Sequence, residues 1–110
     1  KNVAKMKIGS GRSTGFCKRS NISRAVRRRA GAIRACYERR LHVKPNLKGK
    51  VNVLWTINFD GQVDGVRTTG TLRDNSISAC IERVVRRMRF LQPEGGICVV
   101  RWPFVFSPGR

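Results

Sequence analysis

The feature that most constrains this chain is a ten-residue stretch, Lys50–Phe59, in which large apolar residues alternate with mostly polar ones. A period of two is that of a β-strand with one buried face, and β-branched and aromatic residues suit its pleated surface. The Asp-Gly pair that follows favours a hairpin turn. We therefore expect this strand to form the centre of a small sheet. Its apolar positions are Val51, Val53, Trp55, Ile57 and Phe59.

Two other segments have the spacing of amphipathic helices. The first is Ser20–Val43, and Pro45 ends it because a proline disfavours helical geometry in the residue before it. The second is Asp74–Arg89, where Asp74 or Asn75 can cap the start. The apolar stripes are Ile22, Val26, Ile33, Tyr37 and Leu41 in the first helix, and Ile77, Cys80, Ile81, Val84, Val85 and Met88 in the second.

Two further strands are predicted. Gln62–Thr69 follows the Asp-Gly turn, and Gly65 within it indicates a bulge. Ile97–Phe106 has one wholly apolar face, and its Pro103 donates no backbone hydrogen bond, so we expect it at the edge of the sheet. The order helix, strand, strand, helix, strand predicts an α+β fold. In this fold a three-stranded antiparallel sheet has the Lys50–Phe59 strand in the middle and two helices packed on one face.

The first nineteen residues are rich in Gly, Ser, Lys and Arg and carry few apolar side chains. We predict a flexible basic linker over residues 1–19 and a single domain over residues 20–110. The Gly-rich run Gly9–Gly15 lacks the preceding strand and the Gly-Lys-Ser/Thr ending of a phosphate-binding loop, so a flexible tail is the better interpretation.

The net charge of +18 indicates attraction to polyanions, namely nucleic acid, anionic lipid heads or acidic cell-wall polymers. The plain alternative is that the charge serves solubility. Stacking on single-stranded nucleic acid needs exposed aromatic residues, whereas the periodicity places Trp55 and Trp102 on buried faces. A basic domain that binds nucleic acid or an anionic polymer is therefore the alternative function.

Groups for catalysis are scarce. The chain has one histidine, His42, and six acidic residues, which fall at turns, at a cap or among arginines on helix surfaces. No set of converging catalytic groups can be composed from them. We therefore expect no enzymatic activity, no cofactor and no small-molecule substrate. The cysteine spacing has no C-x-x-C pair, so we expect no metal site either.

Four cysteines in a short chain suggest either two disulfides in an oxidising compartment or buried thiols in a cytosolic protein. Cys36 and Cys80 lie on or beside the apolar stripes of the two helices. They can meet if both helices pack on one sheet face, which makes Cys36–Cys80 the first predicted bridge. Cys17 and Cys98 form the second. The alternative is that Cys36 and Cys80 are small core residues.

An edge strand can accept a strand from another chain through main-chain hydrogen bonds. On the uncovered face of the last strand, Ile97, Val99 and Val105 would form an apolar patch beside Leu54. Either a partner peptide adds at this edge, or Pro103 and Arg101 protect it. Dimerisation through the same edge is a third possibility. The predicted partner-binding residues are Ile97, Cys98, Val99, Val100, Arg101, Trp102, Phe104, Val105 and Phe106.

Several motifs in order resemble one family. R-A-C-Y-E-R at Arg34–Arg39 resembles the Cys-Tyr-Glu signature of the AgmX/PglI C-terminal domain family. The match continues through K-P-N-L-K-G-K-V, the central strand, D-G-Q-V and Cys80. It ends with R-F-L-Q-P-E-G-G at Arg89–Gly96 and W-P-F-V-F at Trp102–Phe106, so that it spans about Ser20 to Phe106.

That family is similar to the C-terminal domain of TonB. The resemblance implies a periplasmic module, anchored in the inner membrane by an upstream segment, in a transducer that transmits force for transport or gliding motility. It implies that an envelope or outer-membrane protein adds a short peptide strand at Ile97–Phe106, and that an inner-membrane motor complex acts through upstream regions. Family members often carry cysteines matching Cys36 and Cys80, whereas Cys17, Cys98 and the high arginine content depart from the pattern. The arginines suggest a tether to acidic envelope polymers.

Overall fold

The structure is a computed structural model that describes residues 4–109. The first three residues of the predicted linker, and Arg110 at the end of the predicted domain, lie outside the described residues. In chain order the elements are β1 (Lys5–Ile8), β2 (Arg12–Gly15), α1 (Arg19–Arg28), α2 (Ala30–Leu41), β3 (Gly49–Ile57), β4 (Val63–Thr69), α3 (Asn75–Arg86) and β5 (Cys98–Ser107).

The strands form one antiparallel sheet in the order β1-β5-β3-β4, and β2 also pairs with β5. The α+β class and the central place of β3 between β4 and β5 are confirmed. The predicted three-stranded sheet with two helices is corrected, since residues 4–109 contain five strand segments and three helices. The additional strands, β1 and β2, come from the predicted linker.

The predicted helix Ser20–Val43 is divided in two at Arg29. The backbone of Arg29 has φ −102° and ψ 5°, outside regular helical values, and its N–H is bonded to the carbonyl of Val26. The run Arg27–Arg29 places like charges together, and Gly31 follows with a low helix propensity. Both features weaken the helix at the position where it bends. The bend still lets α1 and α2 each bury their apolar stripe.

The hairpin of β3 and β4 follows the prediction closely. The register between the two strands shifts after Leu54, with an extra residue on β4 around Gly65, whose φ is +59°. This is the predicted bulge. Phe59 is a correction: β3 ends at Ile57, and Phe59 lies in the turn with 67% of its surface exposed.

The core lies between the helices and one face of the sheet. Trp55, Phe104 and Phe106 are fully buried there, and the ring of Tyr37 in α2 lies 5.0 Å from the ring of Phe106. Burial raises the pKa of Tyr37 above its ordinary value. The Cys36–Cys80 disulfide joins α2 to α3, so the first predicted bridge is confirmed.

Of the two predicted caps, Asp74 and Asn75, it is Asp74 that fixes the start of α3. Its side chain accepts a hydrogen bond from the Ile77 N–H (3.0 Å) and forms an ion pair with Arg40 of α2 (3.1 Å). Burial alone would raise the pKa of Asp74, but the hydrogen bonds from Ile77 and Arg40 outweigh it and lower the pKa below its ordinary value. One buried carboxylate therefore both caps α3 and ties it to α2.

Candidate functional site

The candidate site is β5, and its side chains divide between the two faces of the sheet as predicted. Cys98, Val100, Trp102, Phe104 and Phe106 are buried under the helices. Val99, Arg101 and Val105 are exposed on the opposite face, which we call the helix-free face, and Ile97 immediately precedes the strand with 45% of its surface exposed.

β5 is not an edge strand, and this prediction was wrong. One side of β5 pairs with β3 from Gly49↔Phe106 to Ile57↔Cys98. The other side pairs with β1, from Lys5↔Ser107 to Ile8↔Phe104, and with β2, from Arg12↔Arg101 to Gly15↔Cys98. The segment Lys5–Gly15, which we call the N-terminal strand, thus covers the edge where a partner peptide was expected. It is also not the flexible linker predicted for residues 1–19.

The N-terminal strand contains a bulge that fits Pro103. Three residues, 9–11, stand opposite two residues of β5, so the register changes by one between β1 and β2. The Gly9 N–H donates to the Pro103 carbonyl at 3.0 Å. In an antiparallel strand the C=O and N–H of one residue point to the same side. The backbone nitrogen of Pro103 therefore points to the bulge and away from β3, so its missing N–H removes no hydrogen bond between β5 and β3. This is why a proline is tolerated in an interior strand.

Glycine is required in this bulge because of how closely it passes the side chains of β5. A Cβ atom at Gly11 would lie 1.8 Å from the ring of Trp102, and one at Gly9 would lie 2.8 Å from the Pro103 ring. Trp102 is buried, so its ring cannot yield space without disturbing the core. The two glycines of Gly-Ser-Gly are therefore required for the N-terminal strand to pass this closely over Trp102 and Pro103.

Two side chains, those of Cys17 and Arg19, hold the end of the N-terminal strand nearest α1. Cys17, two residues after β2, is bonded to Cys98 at the start of β5, which confirms the second predicted bridge. The Nε of Arg19 donates to the Gly11 carbonyl at 2.8 Å, and its guanidinium lies 5.5 Å from the centre of the Trp102 ring. The other end, β1, has main-chain pairing and the packing of Ala4, Met6 and Ile8 against the core. Among the described residues, the N-terminal strand is thus covalently bonded to β5 at one end only, through Cys17–Cys98.

The helix-free face is strongly basic. Residues paired in register point to the same face, so Arg12, Arg101, Leu54 and Arg67 form one row across four strand segments. Lys7, Val105 and Lys50 form a second row. All five of these charged side chains are exposed. The face also carries aliphatic, threonine and asparagine side chains and one carboxylate, that of Asp64, which pairs in register with Thr56.

Other candidate groups stay apart from β5. His42 is exposed at the end of α2. Among residues 4–109, no group of three or more His, Cys, Asp or Glu side chains is placed to hold a metal ion. Within the same range, no helix is both long enough and apolar enough to cross a membrane.

Sequence reasoning missed the N-terminal strand, although a weak signal was present. Lys5, Met6, Lys7 and Ile8 alternate polar and apolar residues, which is the pattern of a half-buried strand. Four residues are too few to separate such a pattern from chance. The Gly-Ser-Gly bulge interrupts it at the point where a longer alternation would have become recognisable.

No protein-family model matches the chain, so the resemblance to the AgmX/PglI family stays a prediction. No curated protein matches it either. Among solved structures, the solution NMR structure of the Pseudomonas aeruginosa TonB CTD is similar, with 22% sequence identity and a TM-score of 0.41. The similarity covers 64% of this chain and 73% of that one. At this identity and TM-score the similarity carries no argument about fold or function.

Proposed function

We propose that this chain is a non-enzymatic, protein-binding module of a TonB-like energy transducer in the periplasm. In this proposal an envelope or outer-membrane protein supplies a short peptide that adds to β5, and upstream regions connect the module to an inner-membrane motor complex. The support is the ordered set of motifs between Ser20 and Phe106, together with the geometry of β5. The identity of the partner decides whether the force serves transport or gliding motility.

One observation carries the proposal: the outer side of β5 binds an added strand, which here belongs to the same chain. A partner peptide that adds at β5 must therefore displace the N-terminal strand. The displaced strand is short, interrupted by a bulge, and anchored covalently only at Cys17–Cys98. It can peel away from the Lys5 end while the disulfide keeps the segment attached. We therefore propose strand exchange, in place of addition to an open edge.

The periplasmic location is supported by the disulfides. Both pairs, Cys17–Cys98 and Cys36–Cys80, are formed, and disulfides persist in oxidising compartments. A count of free thiols on protein isolated from its native cells tests this directly. Four reactive thiols would contradict the location.

Strand exchange can be tested by holding the N-terminal strand in place. Lys7 and Val105 face each other in register, so the double variant Lys7→Cys/Val105→Cys can be joined by a short thiol-to-thiol crosslinker. We expect the joined protein to lose capture of its envelope partner, and the same variant without crosslinker to retain it. Equal capture by the joined and unjoined proteins would reject β5 as the binding site.

A second candidate function is binding of an anionic polymer, and the basic rows of the helix-free face favour it. The two candidates differ in their response to salt. A protein that contacts six to ten phosphates loses roughly 10³–10⁵ in affinity between about 50 and 200 mM salt, because counterions are released on binding. Strand exchange depends on main-chain hydrogen bonds and should change far less over that range.

A further inference from the structure

A cleft on the helix side of the molecule is lined mainly by arginines. It lies between the junction of α1 with α2 and the end of α3. Ala25 and Met88 are buried and contribute its apolar part, and its volume is about 450 Å³. Its other lining residues are Arg28, Arg29, Arg87 and Arg89, and we call it the arginine cleft.

No acidic residue lines the arginine cleft. The ion pairs described within residues 4–109 use Arg34, Arg40 and Arg86, none of which lines it. One N–H of Arg89 donates to the neighbouring Met88 carbonyl at 3.0 Å. The cleft therefore concentrates four guanidinium groups whose charge no described carboxylate offsets.

This arrangement has an electrostatic cost that the fold offsets only in part. Charges closer than the Debye length of about 8–10 Å repel one another appreciably. Arg28 ends α1 and Arg87 follows α3, where the negative end of each helix dipole favours a cation. Arg29 lies at both the end of α1 and the start of α2, so the dipole of α2 opposes the favourable effect of α1 on its charge. An anion seated between the four side chains would offset the repulsion of all of them.

We propose that the arginine cleft binds a compact anion carrying two or more adjacent phosphate groups. A guanidinium presents its N–H donors as a fork that matches phosphate oxygens, and two forks already occupy most of one phosphate. The four guanidinium groups around this cleft can therefore bind at least two phosphate groups. A soluble oligophosphate and a phosphate-bearing envelope molecule share this chemistry. The cleft lies away from β5, so this inference does not depend on strand exchange.

Calorimetric titration of the intact protein with inorganic tripolyphosphate tests the proposal. In the variant Arg28→Gln/Arg87→Gln we expect affinity to fall by about 10- to 100-fold, the loss of two charge-assisted contacts. The matched control is Arg24→Gln/Arg73→Gln, which removes the same charge from exposed positions that do not line the cleft. The control should bind within about twofold of the unmodified protein. Circular dichroism and thermal unfolding verify that both variants fold.

Three results would overturn the proposal. The first is equal loss of affinity in both variants, which would mean that only net charge matters. The second is absence of tripolyphosphate binding by the unmodified protein at 150 mM salt, a concentration near physiological ionic strength. The third is binding to vesicles of phosphatidylglycerol without binding to tripolyphosphate, which would assign the arginines to a membrane surface. Tripolyphosphate binding that is reduced only by the cleft variant is the supporting result. Additional binding to the vesicles, reduced by the same variant, would identify a phosphate-bearing surface as a source of the anion.

Discussion

Substituting Gly11 should release the N-terminal strand from β5 without altering β5 itself. In Gly11→Ala the new Cβ would lie 1.8 Å from the Trp102 ring, whereas ordinary contacts begin at 3.4 Å. The N-terminal strand must therefore move outward by well over an ångström, because Trp102 is held in the core. Overpacking of this kind costs about 1–3 kcal/mol. The cost falls on the closed state alone, so the population with a free β5 edge should rise about 5- to 150-fold.

Hydrogen exchange measured by NMR can read this change residue by residue. The Pro103 carbonyl points toward the N-terminal strand, and backbone groups alternate along a strand, so the N–H groups of Val99, Arg101 and Val105 point the same way. Their exchange should quicken by the factor given above. The N–H groups of Val100 and Phe104 point to β3 and should keep their protection.

The matched control for this experiment is Gly31→Ala. A Cβ atom at Gly31 would meet nothing within 4 Å, and the change favours helix by up to about 1 kcal/mol. Two outcomes would refute the reasoning. One is unchanged exchange at Val99 and Val105 in Gly11→Ala. The other is an equal increase on both sides of β5, which would indicate global unfolding rather than release of one strand.

The remaining predictions concern the elements that hold the site together. Asp74→Ala should lower the free energy of unfolding by about 2 kcal/mol in urea titrations, because α3 loses its cap and Arg40 its partner; a loss below about 0.5 kcal/mol would contradict this role. Since the pKa of Asp74 is lowered by folding, its contribution is complete above the unfolded value near 3.9 and disappears as pH falls through the folded value. Asp74→Asn should therefore flatten the decline of stability between about pH 5 and 2, and an unchanged decline would argue against it. Cys17→Ser/Cys98→Ser removes a bridge between residues 81 apart and should cost about 2–5 kcal/mol, with faster exchange at Val99; full stability in denaturant would show that the bridge is dispensable.

Much of the fold could be predicted because the spacing of apolar residues within a segment specifies whether it forms a strand or a helix. The alternation in Lys50–Ile57 and the stripe from Ile77 to Val85 each specify an element and its buried face, and both were found where the periodicity put them. The Cys36–Cys80 disulfide followed from where those faces meet, and Cys17–Cys98 was the pairing that remained. The hairpin turn and the bulge at Gly65 followed from glycine's tolerance of positive φ.

The errors arose where the structure depends on contacts distant in sequence. β2 has no apolar alternation of its own, and it forms because the main-chain groups of β5 pair with it. Pro103 suggested an edge strand, but a proline is also tolerated opposite a bulge, and the bulge belongs to a segment about ninety residues earlier in the chain. The prediction of an open edge at β5 failed for the same reason. The residues of β5 identify it as a strand, but they do not indicate which segment pairs with its outer side.

The central claim is that the N-terminal strand and the partner peptide occupy the same side of β5 and exclude one another. Lys5 and Ser107 are paired in register, so spin labels at Lys5→Cys and Ser107→Cys report whether that strand is seated. Electron–electron distance measurement should give one short separation for the free protein and a long, broad distribution once the envelope partner is bound. A partner complex that keeps the short separation would contradict strand exchange at β5.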